Sequence, residues 1–285
     1  MSRNEVNFVW IGPTLGQVHA ACLRSFQRHG YNVVLHTFDP PSDTPEAVSI
    51  FDASQLMKRD EIVAHRMSGS LALTADIYRY RILREGLGLY ADCDVYCLRR
   101  FPDHDYLLGW ESDHTICNAV MAAPSDSELV RQLNAAAGDR GFIPPWRSKR
   151  RQRIMRFRKA IGIPETPEQM PWGTLGPKLL TYSVKSLGLH HVVQPIDAFY
   201  PLHFSHTPLL RDPALTLADL VTPRSFALHL CHSRLGSEDI PKGSPLDQIV
   251  SSQPSRHTIR PSLVLAAAAN PSPVEAGARY ALRQK

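Results

Sequence analysis

Two apolar strands separated by a single helix fill the first forty residues, and that order constrains the fold more than any other feature of the chain. The run "VNFVWIG" (6–12) is stopped by Gly-Pro. The next segment, "LGQVHAACLRSFQRHG" (15–30), has helical spacing and ends on Gly30, the residue type that closes helices in the left-handed conformation. "YNVVLHTFD" (31–39) follows, with β-branched residues and a Pro-Pro stop. Strands joined through a helix lie parallel in one sheet, with a right-handed crossover. The order therefore predicts an α/β domain.

Further along, 46–65 is weakly helical in pattern, 68–86 is a helix ended by glycine, and 88–98 is the strand directly after it. "HTICNAVMAAP" (114–124) predicts another sheet strand and "SDSELVRQLNAAAG" (125–138) a capped helix. A basic, Pro-rich loop-and-helix insertion spans 139–176. Helix returns at 174–188, strand at 190–201, and a last short strand at 225–233. From 251 onward the text turns to Ser, Pro and Ala, which predicts a loose helix or disorder. The expected organisation is one domain over 1–250 and a tail over 251–285.

At 285 residues the chain has ample material for a core. No run approaches the ~20 apolar residues of a membrane-spanning helix, and "MSRNEVNFVWIG" lacks the layout of a secretory signal. Five cysteines with no CxxC pair fit reduced thiols better than a disulfide framework. A cytoplasmic location is the expectation. The net charge of +5 is concentrated in "RSKRRQRIMRFRK" (147–159), which holds eight basic residues and no acid. That run is a solvated helix face, or a contact for phosphate-bearing acceptors or the anionic inner face of a membrane. A nucleic-acid footprint is broader and interleaved with exposed aromatics, so nucleic acid is not the expected partner.

The chemistry concentrates in "DIYRYRILREGLGLYADCDVYCL" (76–98). Read as a strand, its alternation puts Tyr90, Asp92, Asp94 and Tyr96 on one face and Ala91, Cys93, Val95 and Cys97 on the other. Two carboxylates on one buried face repel each other and resist desolvation. A hard divalent cation, Mn²⁺ or Mg²⁺, removes both problems and bridges phosphate oxygens. On the preceding helix, Asp76 and Arg79 are three apart and mutually reachable. An arbitrary helix with that pair carries a surface ion pair. Placed just before two acids through a tight Gly turn, it faces a substrate instead.

"ADIYRYRILREGLGLYADCDVY" resembles the sugar-binding D-x-D region of glycosyltransferase family 32 and its relatives, the capsular-polysaccharide, mannosyl- and α-1,4-galactosyltransferases. "NFVWIG", "NAVMAAP", "GTLGPKLLT", "FYP" and "FALHLCHS" are similar to further family blocks in the family's order, over roughly residues 6 to 235. The resemblance implies a GT-A fold, a Rossmann-like mixed sheet flanked by helices, and retaining hexosyl transfer from a UDP- or GDP-sugar to a glycan or lipid-linked acceptor in surface polysaccharide synthesis. It implies roles as well. Trp10 stacks on the base. Asp76 and Arg79 hold the donor sugar, and Asn118 and Gly176 line its pocket. Tyr90, which flanks Asp92, contacts the donor as well; Asp92 and Asp94 bind ribose and metal, and His229 completes the metal or diphosphate site, with His232 as its alternative. The chain departs from the family pattern at three places: Leu87 between Gly86 and Gly88, Arg234 after Ser233, and Asn7 before Phe8.

Other readings carry less. "HLCH" (229–232) lacks the paired spacing of structural zinc sites. No G-x-S-x-G elbow or G-x-x-x-x-G-K-[ST] loop occurs, which removes serine hydrolases and P-loop enzymes. A nucleotidyltransferase using the same carboxylates, and a catalytically silent glycan-binding protein, remain as alternatives. No side chain stands out as a nucleophile, so front-face substitution is the working mechanism.

Overall fold

A computed structural model describes residues 4–235 and 239–252. The chain runs β1 (Glu5–Trp10), α1 (Gly16–Arg28), β2 (Asn32–Thr37), β3 (Ser49–Asp52), α2 (Ala72–Arg84), β4 (Leu89–Ala91), β5 (Val95–Cys97), β6 (Leu107–Trp110), β7 (Ile116–Ala122), α3 (Glu128–Gly138), α4 (Lys149–Ala160), α5 (Pro177–Ser186), β8 (Val193–Gln194), α6 (Ile196–Phe199), β9 (Ala227–His229) and α7 (Pro245–Ser251). Seven strands form one mixed sheet in the order β3-β2-β1-β4-β7-β6-β8. The first four are parallel, β7 is antiparallel to both β4 and β6, and β8 is parallel to β6. β5 and β9 form a separate antiparallel ribbon. The sheet is flanked by helices, the mixed α/β arrangement expected from the sequence.

Alternation along β1 divides the core. Val6 and Phe8 pack with Leu23 and Phe26 of α1, whereas Val9 packs with Tyr78, Ile82 and Leu83 of α2, Leu129 and Leu133 of α3 and Leu180 of α5. Gly30, at φ +77°, lets Tyr31 N–H return to Phe26 O (3.2 Å) and ends α1 where the sequence predicts. Ser127 Oγ caps α3 by accepting from Val130 N–H (3.3 Å).

Several expectations are corrected. Residues 46–65 hold the edge strand β3 and two short 3-10 turns, not a helix, because a four-residue strand is too short to show a period. The expected strand 190–201 is a 3-10 turn, the two-residue β8 and the short α6, which begins directly after Pro195. The strand 88–98 is two strands: Val95 N–H donates to Asp92 O (3.0 Å), so the chain turns at the acids and leaves the main sheet for the ribbon. Tyr90 and Tyr96 consequently lie in different cores. β6 was not anticipated. The tail beyond residue 252 lies outside the described residues.

A buried polar trio locks α2 onto the sheet. His36 Nε2 meets Asn7 Oδ1 (2.8 Å) and Nδ1 meets Tyr78 Oη (3.0 Å). Asn7 Nδ2 donates to Leu87 O (2.9 Å) and Leu89 O (3.2 Å), which fixes its oxygen toward the imidazole. The imidazole is therefore satisfied as the neutral Nε2–H tautomer, and burial pushes its pKa down to about 3. Below about pH 6.5 the unfolded chain takes up a proton that the folded chain refuses, so His36 removes stability as pH falls from 6.5 toward 3. Urea titrations across that window should show His36→Gln flattening the acid loss by roughly 1.4 kcal/mol per pH unit. Parallel curves for the two proteins would contradict it.

Candidate active site

Ligands of open α/β sheets bind outside the carboxyl ends of the parallel strands, and there β4 ends in Ala91-Asp92. Asp92 N–H donates to Ala119 O on β7 (2.8 Å), and the turn that follows projects both acids. Asp94 belongs to the ribbon. Leu230 N–H donates to its carbonyl (2.9 Å), His232 N–H to its Oδ2 (2.9 Å), and His229 Nε2 stands 3.3 Å from its Oδ1. β9 brings His229 there because it pairs with Val95 across the ribbon. The left-handed backbone of Cys231 (φ 47°) then reverses the chain so that the His232 amide meets the carboxylate.

One ligand atom from each of Asp92, Asp94 and His229 lies within 4.8 Å of the others, the one such cluster among the described residues. The Asp92 and Asp94 side chains keep 25% and 18% exposure, so they are neither turned fully inward nor free in solvent. Two carboxylates and an imidazole fit a divalent ion such as Mn²⁺, whose ligand range includes both oxygen and nitrogen. Cys93 and Cys97 sulfurs point to Val9 O and Arg99 O, away from the cluster.

Arg79 holds the acids in place. It is 3% exposed; Nε donates to Ala75 O (3.1 Å) and Nη1 to Asn118 O (2.5 Å) and Asp92 Oδ2 (3.4 Å), while Nη2 stands at ion-pair distance from Asp92 Oδ1 (3.0 Å) and Asp76 Oδ1 (3.4 Å). Its guanidinium also lies 4.7 Å from the Tyr90 ring centre, and Tyr90 Oη donates to Asp92 Oδ1 (2.5 Å). Held by these contacts, Arg79 positions the carboxylates. Asn118 Nδ2 donates to Asp76 Oδ1 (2.7 Å). Asp76 Oδ2 has no donor among the described residues and faces Gly176, where a Cβ would sit 2.6 Å from it. Tyr80 Oη, donating to Leu175 O (2.6 Å), holds that loop.

Electrostatics separate the acids. Burial pushes Asp76 up to about 6 against the pull of Arg79, and burial likewise raises Asp92. Burial also disfavours Asp94's charge, but the His229 charge and the hydrogen bonds from His229 and His232 outweigh it and hold Asp94 well below the usual carboxylate range. His229 is the counterpart: burial disfavours its proton, and Asp94 retains it.

Trp10 leaves β1 on the same edge of the sheet. Its ring lies 4.6 Å from His19, and His19 lies 4.3 Å from His232, so a row of rings joins the indole to the residue whose amide binds Asp94. Trp10 Nε1 is buried with no partner among the described residues. The three departures also have local explanations. Gly86 and Gly88 take positive φ (66° and 114°), so only the intervening position tolerates Leu87. Asn7 anchors the Leu87–Leu89 carbonyls and His36. Arg234 stacks 4.6 Å over Phe204 on the turn after His232. Glu111, whose carboxyl burial raises within electrostatic range of His229 and Arg234, was missed in the sequence, where it sits in no motif.

The fold and site thus define a mixed α/β protein with an acidic, imidazole-bearing crevice. No protein-family profile matches the chain. It is 20% identical over 228 residues to "Subversion of eukaryotic traffic protein A" of Legionella pneumophila, a match covering 69% of this chain and 34% of that protein. The chain therefore spans about a third of the length of the curated relative it matches. Among solved structures, the "PaToxG Glycosyltransferase" superposes with a TM-score of 0.42 and 14% identity, over 66% of this chain and 72% of that one.

Two outcomes test the Asp76 environment. Gly176→Ala forces its new methyl into the carboxylate and should cost about 1–3 kcal/mol, read as a lowered urea midpoint. Asp76 holds a proton in the fold between about pH 4 and 6 that the unfolded chain releases, so stability falls as pH rises through that window. Asp76→Asn should accordingly be more stable than the parent at pH 7.5, by up to about 3 kcal/mol, with the gap closing near pH 4. A variant less stable at both pH values would refute this.

Proposed function

We propose that the protein is a metal-dependent, retaining glycosyltransferase that moves a hexose from a nucleotide sugar to a hydroxyl of a glycan or lipid-linked acceptor. The observation that carries this reading is the convergence of Asp92, Asp94 and His229 within 4.8 Å, beside an Asp76 oxygen left without a donor. Asp92, Asp94 and His229 would hold the Mn²⁺ or Mg²⁺ ion. Such an ion, when bound, supplies Lewis-acid stabilisation of the departing diphosphate. Asp76 Oδ2 accepts a donor-sugar hydroxyl, and Asn118 keeps the other oxygen turned away from it. Gly176 leaves room for that approach. Arg79 and Tyr90 hold Asp92 in one rotamer, which is the pre-organisation that makes positioning effective. Trp10 offers an indole face to the base, at the end of the ring row that leads to the acids. Surface polysaccharide synthesis is the pathway class the resemblance suggests.

The test is a panel of UDP- and GDP-sugars incubated with the EDTA-stripped protein, with and without Mn²⁺ or Mg²⁺, while nucleoside diphosphate is measured. Release should require the ion and should fall at least about 100-fold in Asp92→Asn and Asp94→Asn, the scale expected when an electrostatic partner of the leaving group is lost. Release of pyrophosphate instead would mark a nucleotidyltransferase. If no sugar nucleotide is cleaved or bound, the proposal fails.

A further inference from the structure

Helix α4 carries an apolar ridge that the folded chain leaves uncovered. Four of the eight large hydrophobic side chains exposed among the described residues fall within ten positions: Ile154 (42% exposed), Phe157 (65%), Ile161 (54%) and Ile163 (56%). Ile154, Phe157 and Ile161 are three and four residues apart, so they form one stripe. The other side of the helix is engaged. Gln152 and Met155 are buried, Arg151 pairs with Glu165 (2.5 Å), and Lys159 pairs with Asp139 (2.6 Å). Those contacts fix the helix with its ridge outward. Arg150 and Arg153 lie one turn before Ile154 and Phe157, and Lys149 one turn before Arg153. All three are exposed, and none has an ion pair among the described residues.

We propose that this face docks on an anionic lipid surface. Phe157 and the isoleucines enter the boundary between headgroups and acyl chains, and Lys149, Arg150 and Arg153 meet the lipid phosphates. The charge is complementary, since residues 147–159 hold eight cations and no acid. The hydrophobic component decides among anionic partners. A nucleic acid calls for several aromatic faces that stack on successive bases, whereas three isoleucines and a single phenylalanine edged by arginine are the pattern of a helix lying in a membrane interface. Sequence alone shows only the charge, because the position of the ridge depends on which side of α4 packs. The same insertion supplies Pro167, Pro171 and Trp172 to the crevice beside Asp76, so docking through α4 holds that crevice near the membrane. The inference stands whether or not sugar transfer is the reaction.

The experiment is co-sedimentation with vesicles of phosphatidylcholine alone and of phosphatidylcholine with about one-third phosphatidylglycerol, in about 0.1 M NaCl. The protein should pellet only with the anionic vesicles and be released at about 0.5 M salt. Lys149→Gln with Arg150→Gln and Arg153→Gln should weaken binding roughly 100-fold, about fivefold per charge. Phe157→Ser with Ile161→Ser should weaken it at least tenfold with the charges intact. Thermal unfolding of both variants serves as the fold control, since every altered side chain is exposed. The proposal is overturned if anionic lipid confers no preference or if the serine variant binds as the parent does. It is equally overturned if the ridge proves necessary for binding a duplex RNA probe, or for holding two copies of the chain together in solution.

Discussion

A single guanidinium organises the acidic crevice. Asp76 comes from a helix and Asp92 from the end of a strand, and both point into a region where a bare carboxylate is costly to bury. Arg79 lies between them and also binds Asn118 O on β7, so its charge is shared and its geometry is tied to the sheet. A buried network of this kind is a poor source of net stability and a good source of position. It leaves each acid with a different task. Asp92 is held by Tyr90 and Arg79, whereas Asp76 keeps one oxygen unengaged toward Gly176.

That arrangement needs α2 at a fixed height and rotation on the sheet, and two neutral devices supply it. At its middle, Tyr78 meets the His36–Asn7 pair. At its exit, Asn7 grips the carbonyls of Leu87 and Leu89, while the positive φ values of Gly86 and Gly88 make the reversal into β4 short enough to bring Asp92 back beside Arg79. Asn7 thus stands at the junction of both devices. The charged network in the crevice rests on an uncharged one beneath it, which holds while His36 remains neutral.

How much of this was legible in the sequence depends on distance along the chain. The crossover unit, the helix carrying Asp76 and Arg79, and the pair of acids were visible because each is a local pattern with a period or a stop residue. Strand alternation breaks at the centre. Residues 88–98 are not one strand, since Asp92 begins a turn and the two halves pair with different partners, β4 with β7 and β5 with β9. Nothing local distinguishes a strand that continues from one that changes sheets, because the choice is made by pairing partners elsewhere in the chain, Met121 for Tyr90 and His229 for Val95. The odd-numbered residues still read correctly, since Ala91, Cys93, Val95 and Cys97 all face one core. His229 was reached only through family resemblance, and the backbone amide of His232 and the acid of Glu111 through neither route, since an amide has no signature in a sequence and a lone Glu has no spacing.

The change of sheets bears on what the crevice can do. Asp92 is anchored to the seven-stranded sheet through Ala119, while Asp94, His229 and the His232 amide belong to the ribbon. The cluster of Asp92, Asp94 and His229 therefore straddles a joint. A ligand that engages Asp92 and Asp94 together binds across that joint, and whatever binds the assembled form better than a separated one stabilises it by mass action. Without such a ligand, the ribbon side still closes its own charge, because Asp94 and His229 neutralise each other. On the sheet side the single Arg79 guanidinium faces both Asp76 and Asp92, so that half keeps an unbalanced negative charge once Asp76 ionises. A divalent ion at the cluster would compete with the His229 proton for Asp94. The affinity of such an ion would for that reason depend on pH as well as on geometry, rising as the proton leaves the imidazole.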